Sequence, residues 1–354
     1  MPAKSLYGLG LTALKSNFSS LERPYKLTFA ITYWCQSRCI MCNIWEARPK
    51  GELSLDEIRR FASKNTFFKW LEITGGEPFL RNDIVEIARS FAESSDGLAL
   101  LTIPTNSLCN HDMVEAKLEQ ILGLGIPRVA ITVSLDGYRE LHDRIRGIPG
   151  NYDKAIDTYR RLQALKERHK NLFFVFGYTM LKENQGQFEA TYQAVKRDIP
   201  QIRYEDFFVN VGQLSEIYYT NSSNQGVLAD RGVMAEEIER VIKARGTGMR
   251  AEQILERAFL RRLVKYVKTN KSPMRSRSLD ASLFMDSFGN VYPSIMWGRR
   301  IGNIKDSGFD LDAIWNCKDA EEVRKLIKEG KEPDGWTACE AYQTLVGDMK
   351  SLIS

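Results

Sequence analysis

Short apolar runs alternate with longer amphipathic stretches along most of this chain. Lys26–Tyr33 (KLTFAITY) reads as a strand, and a loop with three cysteines follows it. Ser54 then opens a helix, and Glu57, three residues on, completes a capping box. Trp70–Thr74 reads as a second strand and Asp83–Glu93 as its helix. Leu98–Pro104 is the third strand, and Asp112–Leu122 a helix capped by Asp112. Arg128–Leu135 (RVAITVSL) is the fourth strand, apolar and β-branched enough to be buried on both faces. Tyr152–His169 is a long helix, Phe173–Leu181 the fifth strand, Phe188–Arg197 a helix and Tyr204–Val211 the sixth strand.

Strands and helices at this spacing predict a parallel sheet with right-handed crossovers. Periodicity alone does not separate a doubly wound open sheet from a partial barrel. In both, chemistry gathers at the carboxyl ends of the strands.

The pattern changes after Gly212. Residues 215–226 are polar and loop-like (YYTNSSNQG), and Met234–Arg245 and Glu252–Lys268 read as helices. Ala281–Ile295 reads as a β-hairpin turning through Asp286–Asn290. Two further helices are expected near Ala320–Glu329 and Cys339–Ile353. The chain therefore divides into an N-terminal strap (1–25), a βα core (26–212), a helical linker (213–272) and a small α+β module (273–354).

Composition narrows the function classes. The chain has 354 residues, 43% hydrophobic and 27% charged, which is ordinary for a soluble globular protein. No run of about 18 apolar residues exists, so no transmembrane segment is expected. The glycine-interrupted stretch Leu6–Leu14 reads as a packed strap rather than a membrane anchor. Fifty basic against 45 acidic residues is too mild a bias, and too interspersed, for a nucleic-acid partner. The basic segment Arg257–Lys271 reads as the solvated face of a helix.

Six cysteines are present: Cys35, Cys39, Cys42, Cys109, Cys317 and Cys339. Three crowd into one loop and no export signal precedes them, which points to a reducing, cytoplasmic setting with a metal or cluster site. Three thiolates at Cys35, Cys39 and Cys42 suit three irons of a cubane [4Fe–4S] cluster, whose fourth iron stays open to a small molecule. Structural zinc is the competing reading, but it wants four closed ligands, and neither His111 nor His142 stands at ligand spacing. A chance group of buried cysteines is the third.

The CxxxCxxC spacing after the first strand resembles the radical S-adenosylmethionine (radical SAM) superfamily. Gly75-Gly76-Glu77-Pro78 follows the second strand and resembles that family's GGE motif. Thr105-Asn106 ends the third strand, Ser134-Leu135-Asp136-Gly137 the fourth, and His142-Asp143-Arg144-Ile145-Arg146-Gly147 follows. This run is similar to the branch with a SPASM or twitch extension. The resemblance implies a partial (β/α)6 TIM barrel with a small α+β C-terminal extension.

It also implies site roles. Cys35, Cys39 and Cys42 would hold one [4Fe–4S] cluster. Thr74, Gly75, Gly76, Glu77, Pro78 and Asn106 would meet S-adenosylmethionine (SAM), with the backbone beside the glycines and Glu77 at its ammonium. Ser134 and Asp136 suit a ribose, and the Arg146 fork suits the SAM carboxylate. Met41 stands where the family usually has an aromatic residue against adenine; a thioether can serve there. The implied chemistry is reductive cleavage of SAM to a 5′-deoxyadenosyl radical, fed by an external one-electron donor such as flavodoxin or ferredoxin.

The extension departs from the family. Where relatives carry cysteines for a second cluster, this chain has Met274, Ser294, Glu332 and Gly335, and only Cys339 remains. Two cysteines in this module do not supply a cubane, so the fold without an auxiliary cluster is expected. A redox-neutral outcome follows, with Cys109 and Cys317 as candidate hydrogen donors; as small buried hydrophobes they would need no such role. Tyr218, Tyr219 and Trp297 are candidates for the cavity wall or the core. A small-molecule substrate (sugar, nucleotide or lipid headgroup) is expected. The alternatives are a ribosomally made peptide and a non-catalytic cluster-bearing scaffold.

Overall fold

The computed structural model describes residues 2–348. Its centre is a run of six parallel strands: β1 (Lys26–Thr32), β2 (Trp70–Gly75), β3 (Leu100–Thr105), β4 (Arg128–Ser134), β5 (Leu172–Met180) and β6 (Phe207–Val211). They lie in the order β6-β5-β4-β3-β2-β1, so each strand pairs with its neighbour in sequence. The order never reverses, which a doubly wound sheet requires it to do. The far side of β1 pairs with β7 (Ser282–Met285), so the ring stays open and the barrel is partial.

Helices α2 (Leu55–Lys64), α3 (Ile84–Ser94), α4 (His111–Leu122), α5 (Glu140–Arg146), α6 (Asn151–Arg168) and α7 (Phe188–Asp198) fill the crossovers. The capping box of α2 forms: Glu57 donates its N–H to the Ser54 hydroxyl and returns a carboxylate to the Ser54 N–H at 2.8 Å. The cap of α4 is Asn110, not Asp112. The helix starts one residue sooner than the pattern suggests, so Asn110 Oδ1 accepts from Met113 N–H at 3.0 Å. Phe29, Phe61, Phe68 and Phe91 pack edge to face between β1 and the helices. Burial of each such ring contributes about 1.5–3 kcal/mol.

The expectation that β4 is buried on both faces is corrected. Val129, Ile131 and Val133 are buried, but the alternate residues are only half-buried. Of the second set, Ser134 lines the cavity at the carboxyl ends of the strands, and Arg128, at the other end, pairs with Glu252.

The strands of the C-terminal module continue the same sheet. β7 runs parallel to β1 with Lys26 opposite Ser282, and β8 (Asn290–Tyr292) and β9 (Gly302–Asn303) follow as an antiparallel meander. Helices α8 (Arg231–Arg245) and α9 (Ala251–Thr269) lead into it, and α10 (Leu311–Trp315), α11 (Lys318–Lys328) and α12 (Ala338–Val346) follow. The expected extension of the last helix to Ile353 lies outside the described residues. Phe259 of α9 stacks on Trp336 and on Tyr342 of α12. The N-terminal segment forms α1 (Pro2–Lys15), whose Leu9 and Ala13 pack with Tyr25, Ala281 and Val346. No helix among the described residues is long and apolar enough to cross a membrane.

Candidate active site

Cys35, Cys39 and Cys42 lie on the loop after β1 and line one cavity of about 230 Å3 at the carboxyl ends of the strands. Met41, Ile44 and Trp45 line it from the same loop. Burial pushes the Cys35 and Cys42 thiols up to about 12, and each is raised further by Cys39.

The exit of β2 lies against the root of this loop. Gly76 N–H donates to Thr32 O at 2.8 Å and Glu77 N–H to Trp34 O at 2.9 Å. Gly75 has φ 128°, and a Cβ there would sit 2.1 Å from Thr32 O. A Cβ on Gly76 would sit 2.1 Å from Trp34 O. Only glycine permits this approach. Glu77 is 1% exposed, and its carboxylate accepts from Phe79 N–H, Thr105 Oγ1 and Asn106 N–H, the last at 2.7 Å. Burial still pushes it up to about 7. Glu77 thus ties the ends of β2 and β3 while lining the cavity. Thr74 lines it too, with its hydroxyl bonded to Tyr218. Pro78 opens a short 3-10 turn and does not line it.

Asp136 and Arg146 are found together. Asp136 is fully buried, accepting from Arg146 Nε at 2.6 Å and from Thr179 N–H at 2.8 Å. Arg146 and Ser134 line the cavity, and Asp136 stands behind them. Asn106 lines it as well, and its Nδ2 lies 3.6 Å from Cys35 Sγ. His142, also fully buried, accepts from Asp136 N–H at 3.0 Å. Burial, helped by Arg146, lowers the imidazole to about 3, so it stays neutral.

Residues 29–195 match the family described as the Radical SAM superfamily. The protein is a radical SAM enzyme. This radical SAM enzyme is 26% identical over 313 residues to the AdoMet-dependent heme synthase of Methanosarcina barkeri, covering 86% of this chain and 84% of the relative. It is 29% identical over 217 residues to a GTP 3′,8-cyclase of Haemophilus influenzae, covering 58% of this chain and 60% of that one. Among solved structures, anSMEcpe with bound AdoMet aligns at a TM-score of 0.61 and 15% identity over 93% of this chain and 98% of that one. Streptococcus suis SuiB bound to S-adenosylmethionine aligns at 0.59 and 16% identity over 89% and 71%. These identities speak to the fold alone: the six-stranded partial barrel with its C-terminal antiparallel strands.

The family implies a [4Fe–4S] cluster, SAM, an electron donor and a substrate. The donor set of this radical SAM enzyme fits the cluster. Burial and the neighbouring Cys39 hold the Cys35 and Cys42 thiols protonated, so both need a positive centre to ionise, and bound iron supplies one. Polar donors already reach the sulfurs: Ser37 Oγ is 3.1 Å from Cys39 Sγ and Arg146 Nη1 3.8 Å from it. Among the described residues no three His, Cys, Asp or Glu side chains converge to hold a single metal ion.

The remaining wall comes from residues that carry no family motif. Thr179, Asn210 and Gln213 line the cavity from the carboxyl ends of β5 and β6, with Tyr218 and Tyr219 from the loop beyond. The strand-end rule alone points to the first three. Trp45, three residues past the last loop cysteine, carried no signal that sequence reasoning used. Cys109 is buried behind the loop, taking a hydrogen bond from Gln36 at 3.3 Å, and does not line the cavity. Cys317 caps α11 and lies against Ile301 O, away from it.

A second cavity of about 40 Å3 lies in the C-terminal module. Met274, Ser294, Glu332 and Gly335 all line it, and so does Trp297. Cys339 is not among its lining residues; its thiol donates to Glu72 at 3.0 Å.

Proposed function

We propose that this enzyme holds a single [4Fe–4S] cluster on Cys35, Cys39 and Cys42 and abstracts hydrogen from a small-molecule substrate. One observation carries the reading. The three thiols share a cavity with the double-glycine exit of β2, Glu77, Asn106, Ser134 and Arg146. When bound, the cluster and SAM supply reductive cleavage to methionine and a 5′-deoxyadenosyl radical.

The chain's own residues bind, orient and exclude water. Gly75 and Gly76 bring the exit of β2 against the root of the cysteine loop, so the amino-acid end of SAM would lie beside both. Asn106 and Arg146 place N–H groups beside the thiols. Asp136 fixes the Arg146 fork, so Arg146 serves the cluster side rather than reaching freely for a carboxylate. Trp45, Tyr218 and Tyr219 give the cavity aromatic walls that limit water.

Two observations favour the finer parts. Relatives named for heme and for GTP favour a small molecule over a peptide. The four positions where a second cluster's thiolates are expected line one small cavity that no cysteine enters, which supports a single cluster.

The test is anaerobic. The protein is reconstituted with iron and sulfide, given SAM and dithionite, and assayed for 5′-deoxyadenosine, with the Cys35→Ala/Cys39→Ala/Cys42→Ala chain alongside. Product that depends on the three cysteines, with about four irons per chain, is the expected result. An iron porphyrin and GTP are then added separately, and a rise in product with either points to the substrate class. A chain that holds the cluster but forms no 5′-deoxyadenosine under any of these conditions would overturn the catalytic reading.

A further inference from the structure

The polar loop after β6 is part of the cysteine site. Asn43 N–H donates to Tyr219 O at 2.9 Å, Asn221 Nδ2 to Met41 O at 2.7 Å, and Asn224 Nδ2 to Ile40 O at 3.0 Å. Ile40 and Met41 are the two residues between Cys39 and Cys42. Their carbonyls are therefore held from outside, by side chains about 180 positions later in the sequence.

Asn221 does most of this. It is 0% exposed, and its amide uses both ends. Nδ2 also donates to Gln213 O at 3.0 Å, and Oδ1 accepts from Ser215 N–H at 2.8 Å. One side chain thus joins the carbonyl between two loop thiols to the cavity-lining Gln213 and to the start of its own loop. The opposite edge is held by the last turn of α5: Arg38 and Ile40 donate their N–H groups to Arg146 O and Ile145 O, each at 2.9 Å. With that edge fixed, the asparagine side sets where the Cys39–Cys42 segment can lie.

We propose that Asn221, assisted by Asn224, is a positioning residue that sets the spacing of Cys39 and Cys42 for the cluster. The inference rests on the reading that these thiols hold it. Groups that orient metal ligands from outside the ligand shell commonly govern affinity about 10-fold or more. Neither asparagine is a ligand, so the effect appears in the cluster's retention and electronic signature, not only in turnover.

The test compares Asn221→Ala, Asn224→Ala and Asn171→Ala with wild type. Asn171 is the control: its amide also donates to two carbonyls, Leu122 O and Ile126 O, but at the amino end of the barrel. Each protein is reconstituted anaerobically, passed through gel filtration with a chelator, and measured for iron, reduced-cluster EPR and thermal melting of the apo form. The expected result for Asn221→Ala is about a 10-fold loss in iron affinity and a changed EPR signal, with a smaller change of the same kind in Asn224→Ala. Asn171→Ala is expected to lower the melting temperature and leave the EPR signal unchanged. If Asn221→Ala does not fold, Asn224→Ala alone decides by the same readouts. Full iron retention with a wild-type signal in the folded asparagine variants would overturn the proposal. A wild-type chain that takes up no cluster would instead overturn the reading beneath it, and the proposal with it.

Discussion

Arg146 Nε donates to Asp136 Oδ2 at 2.6 Å, and the carboxylate it meets is fully buried at the carboxyl end of β4. A charge in that place is tolerated only with its partner. Arg146→Met leaves Asp136 with the Thr179 N–H as its remaining donor. Removing one member of a buried pair typically costs about 3–5 kcal/mol. Urea unfolding of the apo protein is expected to show a loss near the lower end of that range, because Arg146 retains some exposure to the cavity. A variant as stable as wild type would mean that the pair is not ionised.

Gly76→Ala makes a sharper steric prediction. The new Cβ would lie 2.1 Å from Trp34 O and 3.1 Å from Cys35 Cβ, both at the root of the cysteine loop. Neither neighbour is the far end of a flexible side chain. The strand exit and the loop must separate, at a cost of roughly 3 kcal/mol, the upper end of ordinary over-packing. The expected outcome is a destabilised apo protein whose SAM affinity by calorimetry falls with its cluster content. Unchanged affinity and unchanged unfolding would contradict the proposed closeness of the two segments.

Much of this site is legible in the sequence because its parts are local. Cys35, Cys39 and Cys42 fall on one loop, Gly75 and Gly76 on one strand exit, and the βα alternation brings such exits to a single rim. What stays hidden is tertiary. No spacing shows that Asp136 takes the Arg146 fork, that Asn221 reaches Met41, or that Tyr218 bonds Thr74. The polar composition of 215–226 reads as linker because asparagines that bridge distant carbonyls look like asparagines in a loop. Even burial of β4 depends on what its second face meets, and here Ser134 meets a cavity while Arg128 reaches the surface. The C-terminal strands were legible as a hairpin, but not their pairing with β1, because register between distant segments leaves no periodic trace.

Lys26 and Glu72 give a second electrostatic test, deeper in the barrel. Lys26 Nζ meets Glu72 at 2.9 Å, lies over the Trp70 ring and donates to Cys339 O at 2.6 Å, with its side chain wholly buried. Glu72 also accepts from Thr28 Oγ1 and the Cys339 thiol. Lys26→Met is expected to cost about 3–5 kcal/mol by stranding the carboxylate. Glu72→Gln in the same chain removes the stranded charge and should recover part of the loss. A double-mutant cycle by urea unfolding is expected to give a coupling above about 1 kcal/mol. Strict additivity would show that the two groups do not interact.

Glu340 carries a pH prediction. It stands on α12, beside the second cavity, accepting from Ser278 Oγ at 3.1 Å. Burial raises its carboxyl to about 7; Lys26 opposes the rise and Glu72 adds to it. The folded chain therefore keeps this proton to higher pH than the unfolded chain, where an ordinary glutamate releases it near 4.3. Between those values the native state binds more protons than the unfolded state, so stability falls as pH rises. Below the window both states are protonated, and above it both are ionised, so the contribution is flat on either side. Glu340→Gln keeps a neutral side chain of the same shape at every pH and removes the fall. Apo-protein unfolding by urea at pH 5, 6, 7 and 8 is expected to show the variant gaining on wild type through the window, by about 1 kcal/mol or more at the top. Curves that stay parallel from pH 5 to 8 would show that Glu340 ionises in the folded protein as readily as in water.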